Sequence, residues 1–427
     1  MLGTTLTVLL VLIALSVPIA AVLGVLALSL GQFFSVMPLH LALGDVMWEN
    51  SIEFLLIAIP LFILMGEILL RSGIAERMYG ALAQWLSWLP GGLMHSNVGS
   101  CALFAATSGS SVATAATIGT VALPEVDRHR YNERLFVGTL AAGGTLGILI
   151  PPSINLIIYG LLTDTSVPQL YLAGFVPGLI LATLFMATVI VACLFRRSWG
   201  GTPIETSWAL RVRSLVHLLP PLGIFLVVVG SIYAGLATPT EAASLGVVAS
   251  LALAAFARSL NLEMLRRAVE GTMRTTAMVM LIILAAIFLN FVLAAIGLTQ
   301  ALSQFVLELG LTPMQTLLVV IAFYLVLGCF METLSMLLTT TPLIVPIIVS
   351  LGFDPVWFGI LMMVMLETAL ITPPIGVNLY VVQGVRGRGS MNDVITGTLP
   401  FVATMFVMIA LLVLFPELAL WLPELFY

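Results

Sequence analysis

The chain has 427 residues, 61% of them hydrophobic and only 8% charged, with a mean hydropathy of +1.18, whereas soluble domains carry roughly 25% charged side chains. Fifteen basic and 20 acidic residues cannot clothe a soluble fold of this length, so the chain reads as a polytopic integral membrane protein. Every basic residue is an arginine, so the lysine of a Walker A loop is missing, and a net charge of −5 argues against a nucleic-acid partner.

The apolar run from Leu2 to about Gly31 is too long for a signal-peptide core and lacks a basic flank, so it reads as a first span. Stretches of about 20 apolar residues suffice to cross a bilayer. They are predicted at roughly 52–70, 135–162, 170–195, 216–235, 239–257, 275–297, 355–385 and 394–416. Segments 74–89 and 299–310 read as amphipathic arms on the membrane surface. The polar linker 198–215, with Trp199, Trp208, Arg211 and Arg213, lies along the cytoplasmic interface and divides the chain into halves. Two further apolar stretches, 92–124 and 314–349, are broken near their middles by small, polar or acidic residues.

The arginines orient these elements. They cluster at 71 and 77, at 128–134, at 196–213, at 258–274 and at 386 and 388, and short arginine-rich loops stay in the cytoplasm. Segments 32–53, 163–169, 236–241, 298–313, 350–354 and 417–427 have no arginine and read as external. Segment 52–70 then descends to cytoplasmic Arg71, and the next basic cluster, Arg128 to Arg134, is cytoplasmic too. Stretch 92–124 therefore enters and leaves from the cytoplasm, and 314–349, by the same logic, from outside. The alternative of two ordinary helices in each is short of length at 1.5 Å per residue.

The two halves repeat. Pro90 and Pro313, Pro124 and Pro346, Pro151-Pro152 and Pro373-Pro374, Asn155 and Asn378, and Gly73 and Gly297 are offset by 222 to 224 residues. Equivalent elements of opposite orientation indicate an inverted repeat, and such repeats build central sites from interrupted helices.

Three segments carry the chemistry. Thr107-Ser108-Gly109-Ser110-Ser111 lies at the tip of the first hairpin; glycine permits a tight turn, and the hydroxyls both donate and accept. Gly143 to Asn155 is a glycine-rich helix broken at Pro151-Pro152, which frees carbonyls upstream. In the partner segment Glu367 to Asn378, Thr368 and Thr372 share a helical face ahead of Pro373-Pro374. Bare carbonyls and hydroxyls at such breaks can hold a hard cation; small-residue helix packing and a structural kink are the alternatives. With no arginine deep in a span, a carboxylate would rely on helix N-termini, hydroxyls, amides and co-bound sodium. Among the acids, Glu67 reads as the local partner of Arg71, Glu241 as part of a capping box at Thr238-Pro239-Thr240, and Glu332 and Glu367 as candidates for tuning ion or proton coupling. Cys101, Cys193 and Cys329 have no metal spacing, and His40, His95, His129 and His217 form no HExxH.

Gly66-Glu67, Ser72-Gly73-Ile74, the Ser108–Ser111 hairpin, the helix ending in Pro151-Pro152-Ser153-Ile154 and Thr372-Pro373-Pro374-Ile375-Gly376-Val377-Asn378 together resemble the large membrane subunit of TRAP transporters, over essentially the whole chain. That resemblance implies an all-α polytopic membrane protein. It would be an inverted-repeat, elevator-type transporter with two re-entrant helical hairpins and two discontinuous helices. It would take up an organic acid such as a dicarboxylate or sialic acid, driven by Na+, across the bacterial inner membrane. Its N-terminus would be cytoplasmic and its C-terminus periplasmic. Residues 71–165 and 275–393 would each hold an arm, a hairpin and a broken helix of the transport domain; 1–70, 166–274 and 394–427 would be scaffold. One sodium would sit at Ser108, Gly109, Gly147, Pro151 and Pro152, the other at Gly328, Thr368 and Thr372. Ser110, Ser111, Asn155, Thr333 and Asn378 would face substrate. The partners implied are a small four-helix membrane subunit of the DctQ type, expected here as a separate polypeptide, and a periplasmic DctP-type substrate-binding protein. A stand-alone sodium–carboxylate symporter is the neighbouring reading; a lipid-modifying enzyme or a passive channel fits the motifs less well.

Overall fold

A computed structural model describes residues 2–15, 17–202, 206–308, 310–374 and 376–427. Ile375 of the second proline motif, 203–205 of the polar linker and Leu309 of the second arm lie outside the described residues, which form α-helices and short 3₁₀ turns and no strand. Six helices are long and apolar enough to cross a bilayer, or eight if two bent pairs each count as one span.

The N-terminal run is two helices, α1 (Leu2–Ala14) and α2 (Ile19–Phe34), not the single span expected from hydropathy. Pro18 has no N–H to donate and disfavours helix in the residue before it, so the run breaks there. Helix α3 (Leu43–Ser51) precedes α4 (Ala58–Arg71). At the end of α4 the chain turns through Gly73, whose φ of +71° suits glycine, into the first arm, α5 (Ile74–Leu86).

The first hairpin is α6 (Leu93–Ser108) and α7 (Ser111–Ala122). Gly109, at φ +61°, ends α6, and Ser110 caps α7 by accepting from the Ala113 N–H. At 1.5 Å per residue these helices are about 24 Å and about 18 Å long, too short to cross a core of about 30 Å. The short helix α8 (Pro124–Arg128) closes the unit. Helix α9 (Glu133–Leu149), started by its Asn132 cap, bends by 41° into α10 (Ile154–Thr163) across the cis Pro151–Pro152 peptide. Then follow α11 (Val167–Phe195), the linker helix α12 (Trp208–Ser214), α13 (Leu219–Tyr233) and α14 (Pro239–Phe256). Helix α14 opens with the expected capping box: the Thr238 hydroxyl accepts from the Glu241 N–H, and the Glu241 carboxylate accepts from the Thr238 N–H.

The second half repeats the plan. Helix α15 (Leu262–Ala295) begins a dozen residues before the expected span, because its first turns carry the Arg266–Glu270 and Arg267–Glu263 pairs outside the apolar layer. It ends at Gly297, again at φ +71°, and the second arm α16 (Leu298–Glu308) follows. The second hairpin is α17 (Pro313–Leu327) and α18 (Thr333–Ser350), interrupted at 328–332. Helix α19 (Pro355–Ile371) breaks at the cis Pro373–Pro374 peptide before α20 (Val377–Arg386). Helix α21 (Met391–Leu414) and α22 (Glu417–Phe426) complete the chain, so the expected external segment 417–427 is largely helical.

Helices α9 and α19 are buried on every face from Leu135 to Leu149 and from Val356 to Ile371, which marks them as the central pair. The other contacts cross between halves: α7 packs on α20, and α18 packs on α10. That reciprocal exchange is what two-fold-related repeats produce. A second bundle forms from α2, α4, α13, α14 and α15, and it meets the hairpin group through α4–α6, α13–α6 and α15–α18. Helices α11 and α21, which the sequence reading assigns to the scaffold, pack on α9 and α19.

Glycines set the tightest of these crossings. A Cβ on Gly397 of α21 would lie 1.8 Å from the Arg134 carbonyl oxygen, and one on Gly138 of α9 2.1 Å from the Gly397 carbonyl oxygen. Beside this crossing, Arg386 bonds Glu133 at 2.8 Å, Arg134 bonds Asp393 at 2.8 Å, and Arg388 bonds both oxygens of Asp127 at 2.6 and 2.8 Å. The Arg388 hydrogen bonds hold the Asp127 carboxyl below the usual carboxylate range. The loops flanking the first hairpin and the second broken helix are thereby fastened together. Backbone faces backbone at Gly397, and neither can yield. Gly397→Ala should therefore cost about 1–3 kcal/mol and lower the thermal midpoint in detergent. Gly384→Ala, which meets nothing within 4 Å, should leave the midpoint unchanged or slightly raised.

Candidate functional site

The hairpin tips and the first break converge on one cavity of about 440 Å³. Hairpin 1 contributes Ser108 to Ala113, the first break Ile148, Ile154 and Asn155, and hairpin 2 Glu332, Thr333 and Leu334. Helix α15 adds Thr275, Met278 and Val279, and α4 adds Gly66 and Glu67. Among the described residues no arginine or histidine is on this lining.

What faces the cavity follows from how the breaks are capped. Ser110, Ser153 and Glu332 are the N-caps of α7, α10 and α18, accepting from Ala113, Leu156 and Ser335 N–H groups. First-turn residues of all three helices line the cavity. Three helix N-termini, each the positive end of its dipole, therefore address one space. Ser110 and Glu332 hold the same capping position 222 residues apart, as the repeat predicts. Both acids on the lining are engaged. Glu67 pairs with Arg71, as expected from their spacing, and a Cβ at Gly271 of α15 would lie 2.8 Å from the Glu67 carboxylate. Glu332 accepts from the hydroxyls of Thr333 and Ser335, each at 3.2 Å. Asn155 is 5% exposed, and its Nδ2 has no hydrogen-bond partner. It is a buried amide donor with no protein partner among the described residues, on a residue that lines the cavity.

Of the five residues expected at substrate, Ser110, Ser111, Asn155 and Thr333 share this cavity. Asn378 does not. It is fully buried between α20 and α9, donates to the Ala141 carbonyl at 3.2 Å, and its Nδ2 lies 3.0 Å from where a Gly144 Cβ would stand. Its repeat partner Asn155 lines the cavity instead, and the residue 222 positions after Gly144 is the bulky, buried Leu366.

The eight residues expected at sodium fall into two clusters. A Cβ on Gly109 would be 2.7 Å from the Pro152 carbonyl oxygen, and one on Gly147 would be 2.8 Å from the Ser110 carbonyl oxygen. Ser108, Gly109, Gly147, Pro151 and Pro152 thus lie around the contact of hairpin 1 with the first break. The Ser108 hydroxyl is 3.0 Å from that of Thr114, which donates to the Ser110 carbonyl at 2.7 Å. At the second break, a Cβ on Gly328 would be 2.5 Å from the Ala369 Cβ. Thr368 and Thr372 donate their hydroxyls to the Val364 and Thr368 carbonyls at 2.7 and 2.6 Å, which leaves hydroxyl lone pairs uncommitted. Both clusters offer neutral oxygen donors, the chemistry a hard alkali cation takes.

Sequence reasoning missed the link between the repeats. The Ser111 hydroxyl donates to Glu367 Oε1 at 2.7 Å across 256 residues, with both side chains buried. The tip of hairpin 1 is tied by this bond to the broken helix of the other half. Glu367 was visible as an intramembrane acid, but no spacing rule names its partner. The walls from α15 and α4 were likewise invisible, because Met278 and Val279 look like any apolar positions.

Residues 6–418 match the family model described as the tripartite ATP-independent periplasmic transporter, DctM component. The C4-dicarboxylate TRAP transporter large permease protein DctM of Pseudomonas aeruginosa is 35% identical over 90% of this chain and 89% of its own length. The sialic acid TRAP transporter large permease protein SiaM of Vibrio cholerae is 33% identical over 88% and 87%. These relatives are named as transporter permeases, not as enzymes. The crystal structure of the Alcanivorax borkumensis YdaH transporter superposes with a TM-score of 0.59 at 16% identity, covering 96% of this chain and 98% of that one, and shares the fold. The geometry separates the two asparagines experimentally. Asn155→Ala should reduce uptake at least about tenfold, the loss of a well-placed polar contact, with the thermal midpoint unchanged. Asn378→Ala should lower the midpoint, because it removes the tie between α20 and α9. The paired readouts are uptake at matched expression and thermal melting in detergent.

Proposed function

Because the chain belongs to the tripartite ATP-independent periplasmic transporter family as its DctM component, we propose that it carries an organic acid, a dicarboxylate or a sialic-acid-like carboxylate, across the bacterial inner membrane by sodium-coupled symport. The observation that carries this reading is the convergence of three helix N-termini and the unpartnered Asn155 amide on a cavity lined by no arginine. A carboxylate there meets dipoles and hydroxyls beside the capping carboxylate of Glu332, and a co-bound cation supplies the positive charge that side chains do not. The oxygen clusters at the two breaks are where Na+ would sit: Ser108, Gly109, Gly147, Pro151 and Pro152 at one, Gly328, Thr368 and Thr372 at the other. Ser110, Ser111 and Thr333 would meet substrate beside Asn155.

Movement follows from the packing. The hairpin group meets the α2, α4, α13, α14 and α15 bundle through few helix pairs. In this reading it slides along that bundle as an elevator, with the tips carrying substrate and α11 and α21 travelling with α9. A periplasmic binding protein delivers the acid and a small four-helix subunit braces the scaffold. The relatives at similar identity are named for different acids, so the binding protein sets much of the selectivity.

In proteoliposomes holding this chain, its small subunit and its binding protein, an inward sodium gradient should drive accumulation of labelled acid, and replacing sodium with choline should abolish it. Uptake indifferent to sodium would contradict the coupling. Sodium-driven uptake without binding protein would instead favour a stand-alone symporter.

A further inference from the structure

A groove of about 560 Å³ runs between the arm helix α5 and the linker helix α12. Its polar wall includes Arg77, Gln84, Arg213 and His217, and Glu76 is the one carboxylate on its lining among the described residues. An adjoining cavity of about 180 Å³ shares Arg77 and His217 with it and is walled by Leu253 and Phe256. A basic recess therefore opens directly onto an apolar one.

The two arginines are uncompensated. Arg77 donates Nε to the Gly73 carbonyl at 3.3 Å and Nη2 to the Ser72 carbonyl at 3.2 Å, which position its guanidinium without neutralising it. Arg213 is exposed and has no hydrogen-bond or ion-pair partner among the described residues. Neighbouring Arg211 is committed: it donates to the Gln84 carbonyl at 3.1 Å and to Thr206 at 3.0 Å, and lies 5.2 Å from the Trp208 ring. Among the described lining residues, two arginines stand against one carboxylate, a net positive balance. Its surroundings belong to the membrane–water boundary, for Trp208, Val212, Val216 and Phe256 are 71%, 61%, 55% and 87% exposed. Unpaired arginines beside an apolar slot at that depth complement a phosphodiester attached to acyl chains.

We propose that this groove binds an anionic phospholipid. Arg77 and Arg213 hold the headgroup phosphate, the His217 ring donates a further hydrogen bond, and an acyl chain runs past Leu253 and Phe256. A lipid so placed ties the arm of the first hairpin to the α12–α14 segment. The assignment does not depend on the transported substrate or on sodium.

Native mass spectrometry of the purified full-length chain tests it, with dioleoylphosphatidylglycerol or dioleoylphosphatidylcholine added in detergent. The anionic lipid should be retained at concentrations where the zwitterionic one is lost. Arg77→Gln with Arg213→Gln should weaken retention about tenfold or more. Arg213→Gln alone, at a side chain without internal bonds, should weaken it in the same direction and keeps the test open if the double variant misfolds. Arg266→Gln with Arg267→Gln should have no effect. Equal retention of both lipids, or retention unchanged by Arg213→Gln, would overturn the proposal. So would displacement by excess inorganic phosphate, which would mark a free-phosphate site.

Discussion

Inside a bilayer every backbone N–H and C=O must find a partner within the protein or in water, because the hydrocarbon offers none. Within the two repeats this chain interrupts its helices four times: at Gly109, at Pro151-Pro152, at 328–332 and at Pro373-Pro374. Each interruption has its own answer. Hydroxyl or carboxylate caps take the free N–H groups of α7, α10 and α18, and the backbone carbonyls of Ser110 and Pro152 sit against Gly147 and Gly109. Ser108 to Ser111, Asn155 and Thr333 line a shared cavity. A binding site thus arises from the same breaks that would otherwise be a liability.

Charge is arranged to the same end. Ion pairs cluster on the arginine-rich face, where Arg386 and Arg388 join Asp127 and Glu133. In the interior, Glu367 is held by Ser111. On the cavity lining Glu67 is paired with Arg71 and Glu332 is held by hydroxyls, and the other polar groups are dipoles and neutral oxygens. With two acids and no arginine on its lining among the described residues, the site presents little attraction to a carboxylate until a cation joins it. Affinity that depends on both species is the physical basis of coupling.

Much of this architecture was legible in the sequence, because proline, glycine and arginine carry backbone and topological meaning on their own. Gly73 and Gly297 share φ +71°, and both proline pairs break their helices as spacing required. Hydropathy alone could not divide the run from Leu2 to about Gly31 at Pro18, since both sides of the break are predominantly apolar. Sequence symmetry placed Asn155 and Asn378 at equivalent points but not on equivalent surfaces. Asn378 packs into the space that Gly144 leaves open, a fact of packing between halves. The Gly138–Gly397 crossing was hidden for the same reason: a glycine in an apolar helix does not announce its neighbour.

The central claim is that each hairpin enters and leaves the membrane on one side, with the two opening to opposite faces. Single cysteines at Trp88, Arg128, Leu311 and Ser350, in a chain with Cys101, Cys193 and Cys329 replaced, can be probed with an impermeant maleimide in right-side-out and inverted vesicles. Positions 88 and 128 should react only from the cytoplasmic face, and 311 and 350 only from the periplasmic face. If either pair divides between the two faces, its hairpin crosses the bilayer and the site described here cannot form.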